Sequence, residues 1–407
     1  MALGSGYFLM DILKNKVTWS IQQEILESCE KRDLPLADAL KEKGLTYDSL
    51  RYRDYPGSVM QHGRSEILDD EAKLSGSIPA ISFFSGAGGL NIGFEYAGFD
   101  NLVSIEINEV FCNTLRHNSP HKTIIGPPDN LGNIREHEQV LSLLENIIGT
   151  SKPFEGVFHG GPPCQPFSIA ANQRFSKNSD KFKRQGFNDE ETGELLFDYL
   201  WFIELFRPRT FLIENVSGIT DCDSDGKIQT ELDKLANHGY EIAPPRVVNA
   251  AHFGVPQNRM RWIIIGTRAG KPVDFPEPDT EVTPCSDTFS RDMSGVENHQ
   301  TRKHSAGSIR RYMQLGYGAR DKLGRVDRLD PNIPSKTVIA GGTKGGGRSH
   351  LHPYAPRTIS VRECARLQTF PDHYVFTGST ARQFTQVGNA VPPLLAYKIA
   401  KQIRRGL

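Results

Sequence analysis

The spacing of apolar residues changes character near residue 78. Before that point they recur at helical intervals; after it, short apolar runs alternate with amphipathic stretches. Residues 18–30 place Ile21, Ile25 and Cys29 on one helical face. Residues 34–43 read as a second helix with Gly44 as its C-cap, and Thr46 suits the N-cap of a third over 47–53. Residues 56–77 carry Pro56, Gly57, Gly63, Ser75 and Gly76 and read as a linker. From Ile78 the pattern is strand, turn, helix, strand: Ala80 to Phe84, then Ser85-Gly86-Ala87-Gly88-Gly89, then a helix through Leu90, Phe94 and Ala97 stopped by Gly98, then a strand over 101–105 ending at Glu106. Helices follow over 138–148, 195–206 and 227–237, with strands at Val157, 210–213 and 262–266. That alternation predicts an α/β, doubly wound (Rossmann-like) sheet with ligands at the strand C-termini. Between about 271 and 355 the rhythm breaks, and a smaller irregular, mostly β domain is expected. Helical character returns over 361–367 and in a last helix to 403. The expected division is 1–77, a helical N-terminal extension; 78–270, the main α/β domain; 271–355, the irregular domain; and 356–407, a segment returning to the main domain.

The N-terminal run Leu36-Ala37-Asp38-Ala39-Leu40, Gly44-Leu45-Thr46, Leu50-Arg51 resembles a helix-turn-helix, which implies DNA binding. Leu40 stands where such motifs want a small residue. The other reading is a small helical bundle that packs on the main domain or aids dimerisation.

Composition narrows the class. The chain has 407 residues, enough for two or three domains, with 38% hydrophobic and 24% charged residues. No apolar run approaches the ~18 residues of a membrane span, and residues 1–10 lack the basic-then-apolar order of a secretory signal. The six cysteines are far apart and form no C-x-x-C pair, so structural zinc and a disulfide framework are not expected, and a cytoplasmic location is. Lys+Arg and Asp+Glu balance at 48 each, so a nucleic-acid partner would need charge segregated locally. Basic residues do gather in the irregular region, from Arg302 to Arg348. His299, His304, His350 and His352 lack partners at ligand spacing, so no metal is expected.

Two features carry chemistry. The Gly-rich turn between strand and helix, with an acid about twenty residues on, is a nucleoside-binding pattern: glycines admit the ligand to the backbone and the acid accepts from ribose hydroxyls. The second is Gly160-Gly161-Pro162-Pro163-Cys164-Gln165-Pro166-Phe167-Ser168, directly after a strand end. Prolines on both sides hold Cys164 on a rigid loop, a placement for a nucleophile rather than for a packed thiol. Glu214-Asn215-Val216 ends another strand, and Gln257-x-Arg259-x-Arg261 adds two arginines.

With these blocks the chain resembles the DNA (cytosine-5)-methyltransferases of bacterial restriction-modification systems. The likeness rests on Phe84 to Gly89, Gly161-Pro162-Pro163-Cys164-Gln165, Glu214-Asn215-Val216, Gln257-x-Arg259-x-Arg261, Arg362-Glu363-Cys364-Ala365-Arg366-Leu367-Gln368-x-Phe370-Pro371 and Gly388-Asn389-Ala390-Val391-Pro392, in the family's order. It leaves roughly the first 75 residues uncovered. The resemblance implies an S-adenosylmethionine-dependent fold and methyl transfer to carbon 5 of a cytosine flipped out of double-stranded DNA. Cys164 would attack ring carbon 6, Glu214 would hold a proton at nitrogen 3, and Arg259 and Arg261 would bind oxygens of the base or a phosphate. Cofactor contacts would come from Phe84, Ser85, Gly86, Ala87, Gly88, Gly89, Leu90, Glu106, Ile107, Asn133, Ile134, Pro163, Leu195, Asn389 and Ala390. Asn133 departs from the family's usual aspartate. DNA contacts are expected from Gln165, Ser168 and Arg174 after the nucleophile and from Thr337, Thr343, Lys344 and Arg348 in the irregular region, which occupies the place of the family's target-recognition domain. A cognate restriction endonuclease sharing the target site, and a monomeric state, go with the same likeness. A related enzyme methylating cytosine in transfer RNA and a DNA-binding regulator acting through residues 1–75 are the competing readings. A nicotinamide dehydrogenase would not need Cys164, Glu214 and paired arginines together.

Overall fold

The computed structural model describes residues 17–56, 68, 73–163, 194–223, 225–323, 326–339 and 350–407. The chain begins with helices α1 (Trp19–Arg32) and α2 (Leu36–Glu42) and a short 3-10 turn, Tyr47–Ser49. The sheet region then runs β1 (Ile78–Phe83), α3 (Gly89–Tyr96), β2 (Phe99–Ile105), α4 (Glu109–Asn118), β3 (Thr123–Ile125), α5 (His137–Ile148), β4 (Val157–Gly160), α6 (Leu195–Phe206), β5 (Thr210–Asn215), α7 (Lys227–Asn237), β6 (Glu241–Ile242), β7 (Arg246–Asn249) and β8 (Met260–Thr267). After it come α8 (Ser286–Phe289), α9 (Ala306–Tyr312), β9 (Arg320–Asp321), β10 (Val326–Asp327), α10 (Val361–Leu367), α11 (Thr380–Asn389) and α12 (Pro393–Gly406).

The sheet order is β3-β2-β1-β4-β5-β8-β6, with β7 also on β8. The first five strands are parallel; β6, β7 and β8 join antiparallel. Strands covered on both faces favour continuous apolar runs, and β5 is buried along its whole length with Phe211, Leu212 and Ile213 at its centre. The chain reverses direction across the sheet between β1 and β4, so the C-terminal ends of these strands open a crevice at the switch point. The returning C-terminal helix closes one face: at Gly93 of α3 a Cβ would come within 2.4 Å of Ala396 of α12, so only glycine permits this approach.

Two expectations are revised. Among its described residues the region 271–355 is irregular rather than mostly β: its strands there are two residues each, joined by isolated bridges such as Arg328 with Leu351. Its Pro/Gly-rich sequence gives no run long enough to alternate. In place of the third helix expected over 47–53, the chain forms only the 3-10 turn Tyr47–Ser49. Thr46 and Ser49 cap each other across a single turn, after which Leu50 turns extended and buries. The buried face of α1 is Gln22, Ile25, Leu26 and Cys29, with Ile21 exposed. That face shares a core with Ala306, Ile309, Tyr312 and Met313 of the irregular region, so the segment packs as a helical bundle on the body of the protein.

Candidate active site

A cleft of about 410 Å³ opens at the C-terminal ends of β1, β2, β4 and β5. Its wall begins at the turn after β1. Phe84 adopts a left-handed backbone (φ 51°), unusual for a residue with a Cβ, and its ring meets that of buried Tyr199 edge-on, 6.1 Å between centroids. Gly86, at φ 54°, carries open space where a Cβ would stand, the nearest atom being the Phe84 carbonyl at 3.9 Å. Gly89 is closed instead: a Cβ there would lie 2.1 Å from the carbonyl of Val391, so the glycine lets the C-terminal block dock on α3.

Glu106 ends β2. Its Oε2 accepts from the amide of Gly86 and its Oε1 from that of Asn108, each at 2.8 Å. Burial pushes the carboxyl above its ordinary range, opposed by the Asn108 and Gly86 amides. The Ile107 amide also bonds this carboxyl, and of its roughly four lone-pair sites at least one remains for a further donor. Exposed Ile107 and buried Ile134 add an apolar slot beside it. Asn133, next to that slot, accepts from the Arg135 amide through Oδ1 (3.2 Å).

Glu214 lies at the floor, at the end of β5. Arg261, from the antiparallel neighbour β8, brings Nε within 2.5 Å of Oε1, an ion pair that misses hydrogen-bond geometry. Burial raises the Glu214 pKa; the charges of Arg261 and Arg259 oppose that shift without cancelling it. The loop after β4 passes directly over this carboxyl: a Cβ on Gly161 would meet Glu214 Oε2 at 2.7 Å. Asn215 donates from Nδ2 to the Pro162 carbonyl at 3.4 Å, tying that loop to β5. Arg259 is almost fully buried and donates to the carbonyls of Gly388 (2.7 Å) and Val338 (3.3 Å). Gln257 accepts from the Val338 amide at 2.8 Å. One short segment before and within β8 therefore grips both the C-terminal block and residues 335–338.

Of the residues singled out in the sequence, Glu214, Arg259, Arg261, Thr337 and the cofactor set other than Gly88 line this single cleft. Gly88 faces away: its Cβ position would meet the Tyr374 hydroxyl at 2.7 Å, and it borders a separate cavity behind the turn, where it serves as the left-handed N-cap of α3. Cys164, Gln165, Ser168, Arg174, Thr343, Lys344 and Arg348 lie outside the described residues. Thr337 donates its hydroxyl to the Asn258 carbonyl (2.6 Å) at the cleft mouth. Several of the gathered cations are spent inside the protein: Arg310 pairs with Glu30, Arg311 with Asp321, Arg328 with Asp54, and Lys336 with Asp327. Lining residues that sequence reasoning missed include Asn108, Phe111, Ile339, Arg382 and Thr385. The last two share a helix face with Asn389 at spacings of three and four, a signal readable from the sequence once that helix is drawn back to Thr380.

Residues 78–405 match the family profile of C-5 cytosine-specific DNA methylase. The chain belongs to that family. It is a DNA cytosine-5-methyltransferase of the Type II restriction-modification kind. The Type II methyltransferase M1.HphI of Haemophilus parahaemolyticus is 33% identical over 80% of this chain and 87% of its own length. M.PspPI of Psychrobacter is 30% identical over 97% of this chain and 93% of its own. A chain encoded within an Escherichia coli prophage superposes with a TM-score of 0.62 at 25% identity, over 81% of this chain and 99% of that one. The methyltransferase thus carries its family's fold from residue 78 onward, with the cleft at the sheet's switch point. No helix among its described residues is long and apolar enough to cross a membrane.

Proposed function

We propose that this methyltransferase transfers a methyl group from S-adenosylmethionine to carbon 5 of a cytosine flipped out of a specific DNA duplex sequence, through a covalent bond to Cys164. The observation that carries the reading is the convergence of Glu214, Arg261 and the loop leading to Cys164 on one end of a cleft whose other end is built for a nucleoside. The cleft fits S-adenosylmethionine. Glu106 keeps a lone-pair site for a ribose hydroxyl, Ile107, Ile134 and Phe84 can flank an adenine, and open space lies at Gly86 for the amino-acid part. The bound cofactor supplies an electrophilic methyl group on sulfur.

The remaining chemistry falls to the chain. Cytosine is a poor carbon nucleophile, so the Cys164 thiolate adds to carbon 6, breaking the ring's aromaticity and making carbon 5 enamine-like. The charge arriving on the ring can be met at nitrogen 3 by a proton on Glu214, whose protonated form burial favours. Arg261 stands beside that carboxyl, where it can reach the ring carbonyl. After carbon 5 is alkylated, loss of its proton expels the Cys164 thiolate and restores the aromatic ring. A base inside a duplex cannot reach this floor, so it must leave the stack. Protection of DNA from a cognate endonuclease follows from the same activity.

Expression in a host lacking cytosine methylation, followed by bisulfite sequencing, tests this. Protected cytosines within one short recurring word are expected. Soluble protein that protects no cytosine overturns the reading and turns attention to RNA as substrate.

A further inference from the structure

The family profile starts at residue 78 and assigns nothing to residues 17–56. The Psychrobacter relative nevertheless aligns with 97% of the chain, which leaves no room to omit that segment. In the structure the segment reaches two buried arginines, Arg328 within the region 271–355 and Arg357 just after it. The Arg328 guanidinium lies 3.6 Å from the ring centroid of Tyr52 and 4.1 Å from that of Tyr317. It donates to Asp54 Oδ2 at 2.9 Å and to the carbonyls of Leu315 and Pro353. Arg357 donates from Nε to Asp48 Oδ1 at 2.6 Å and from both Nη atoms to Glu363 at 2.7 and 2.8 Å. Glu363 in turn closes the capping box of α10.

These two arginines belong to adjacent pieces of backbone. Arg328 bridges to Leu351, and Leu351 bridges to Thr358, the residue after Arg357. Tyr47 adds a third tie, its hydroxyl donating to the His304 carbonyl (3.0 Å) and accepting from the His304 amide (2.9 Å). The segment's charge also argues against phosphate contact. Between residues 17 and 56 there are eight acidic and six basic residues, and Glu30 takes up Arg310 of α9 at 3.2 Å.

We propose that residues 17–56 are a brace of the target-recognition region, in which Asp48, Tyr52 and Asp54 are positioning residues that hold segments 326–329 and 350–358 in the register needed to engage duplex DNA. Without Asp54 the buried Arg328 guanidinium loses its carboxylate and must re-solvate or move; without Asp48, Arg357 keeps Glu363 but loses its Nε partner, and either change shifts the backbone it anchors. The brace lies apart from the S-adenosylmethionine cleft, none of whose lining residues comes from it. The inference rests on the DNA-methylating reading above.

The test uses full-length Asp48→Asn/Asp54→Asn and Tyr52→Leu, with steady-state methylation of a cognate duplex and cofactor binding by calorimetry. The KM for DNA is expected to rise about tenfold in each, the scale of truncating a hydrogen-bonded charge pair, with kcat and cofactor affinity within about twofold of wild type. An unchanged KM for DNA, or an equal loss of cofactor binding, overturns the brace. If these variants do not fold, Glu30→Lys at the exposed edge gives the second reading: a KM for DNA raised about two- to threefold supports the brace, and no change overturns it. Wild-type protein that binds cofactor but methylates no DNA indicts the enzymatic reading instead, so the two failures are distinct.

Discussion

Arg261 Nε stands 2.5 Å from Glu214 Oε1 at the floor of the cleft, yet burial keeps the Glu214 carboxyl above its ordinary titration range. A cation at that distance would ordinarily fix a carboxylate as an anion. Here the loss of water around a group at the end of a fully buried strand is the larger effect. The arrangement suits a carboxyl that must carry a proton to a ring nitrogen and a guanidinium that must face a ring oxygen.

Glu214→Gln tests that proton. Glutamine keeps a donor but cannot release a proton or share charge with Arg261. Methylation should fall by roughly 10²- to 10⁴-fold, with cofactor binding retained. The raised pKa also sets the sign of the pH dependence in the wild-type enzyme: the protonated form persists above the ordinary carboxylate range and is lost as pH rises through the shifted value. In single-turnover measurements the wild-type alkaline arm should include this loss, and the glutamine variant should lack it. An unchanged alkaline arm in the variant would remove Glu214 from the proton's path.

Gly161→Ala should reach the same carboxyl from the other side. The added methyl would sit 2.7 Å from Glu214 Oε2, closer than real Cβ contacts, so either the carboxyl or the loop leading to Cys164 must move. Displacements of this order at a reacting centre cost about 10²-fold in rate. Expected is a fall in kcat of that size with cofactor affinity unchanged, read by the same methylation assay and by calorimetry. Full activity would show that this loop does not need its close seat on Glu214.

Asn133→Asp should tighten S-adenosylmethionine. Asn133 spends Oδ1 on the Arg135 amide, and its other head atom is a donor. An aspartate could keep that turn with one oxygen and offer the second to an adenine amine. One added charge-assisted hydrogen bond should lower the dissociation constant by about tenfold, measured by calorimetry. An unaltered constant would place the adenine away from this residue.

Cys164→Ser should abolish turnover while cofactor and duplex still bind, because the hydroxyl is a far weaker nucleophile than a thiolate at neutral pH. Retained methylation would overturn the covalent route.

How far the sequence carried the reading follows from the range over which each feature is determined. The turn after β1, Glu106 and Glu214 were legible because a strand end, a glycine and an acid are local signals. The face that Gly88 presents was not: its neighbour Tyr374 lies nearly three hundred residues away in the chain, and only packing shows that the glycine serves the helix cap. The place of the N-terminal segment was hidden for the same reason. Its apolar spacing announced a bundle, but Asp48, Tyr52 and Asp54 look like surface residues until Arg357 and Arg328 are seen against them. Arg328 counted only as one of the basic residues gathered in the irregular region, although it is wholly buried.

Acid should unfold the protein through its buried histidines before its carboxylates titrate. Burial lowers His159 to about 3, His304 to about 4 and His352 to about 3, with the nearby charge of Arg357 adding to the shift at the last two. In the unfolded chain each titrates near its ordinary value of about 6.5. As pH falls from there toward 4, the unfolded state takes up protons that the folded state refuses, so stability declines, by up to about 1.4 kcal/mol per pH unit for each histidine. Glu363 adds to the loss only lower down. Burial alone would raise it, but Arg357 holds it well below the carboxylate range, so its stabilisation is full above the unfolded value of about 4.3 and fades as pH drops beneath that. His304 accepts at Nε2 from the Thr358 amide (3.2 Å) and packs between Tyr47 and Tyr312, so protonating it would break a tie at the N-terminal brace. His304→Gln keeps an acceptor and removes the titration. Urea midpoints between pH 7 and 5 should fall less steeply in this variant than in wild type, and parallel slopes would show that His304 takes no part.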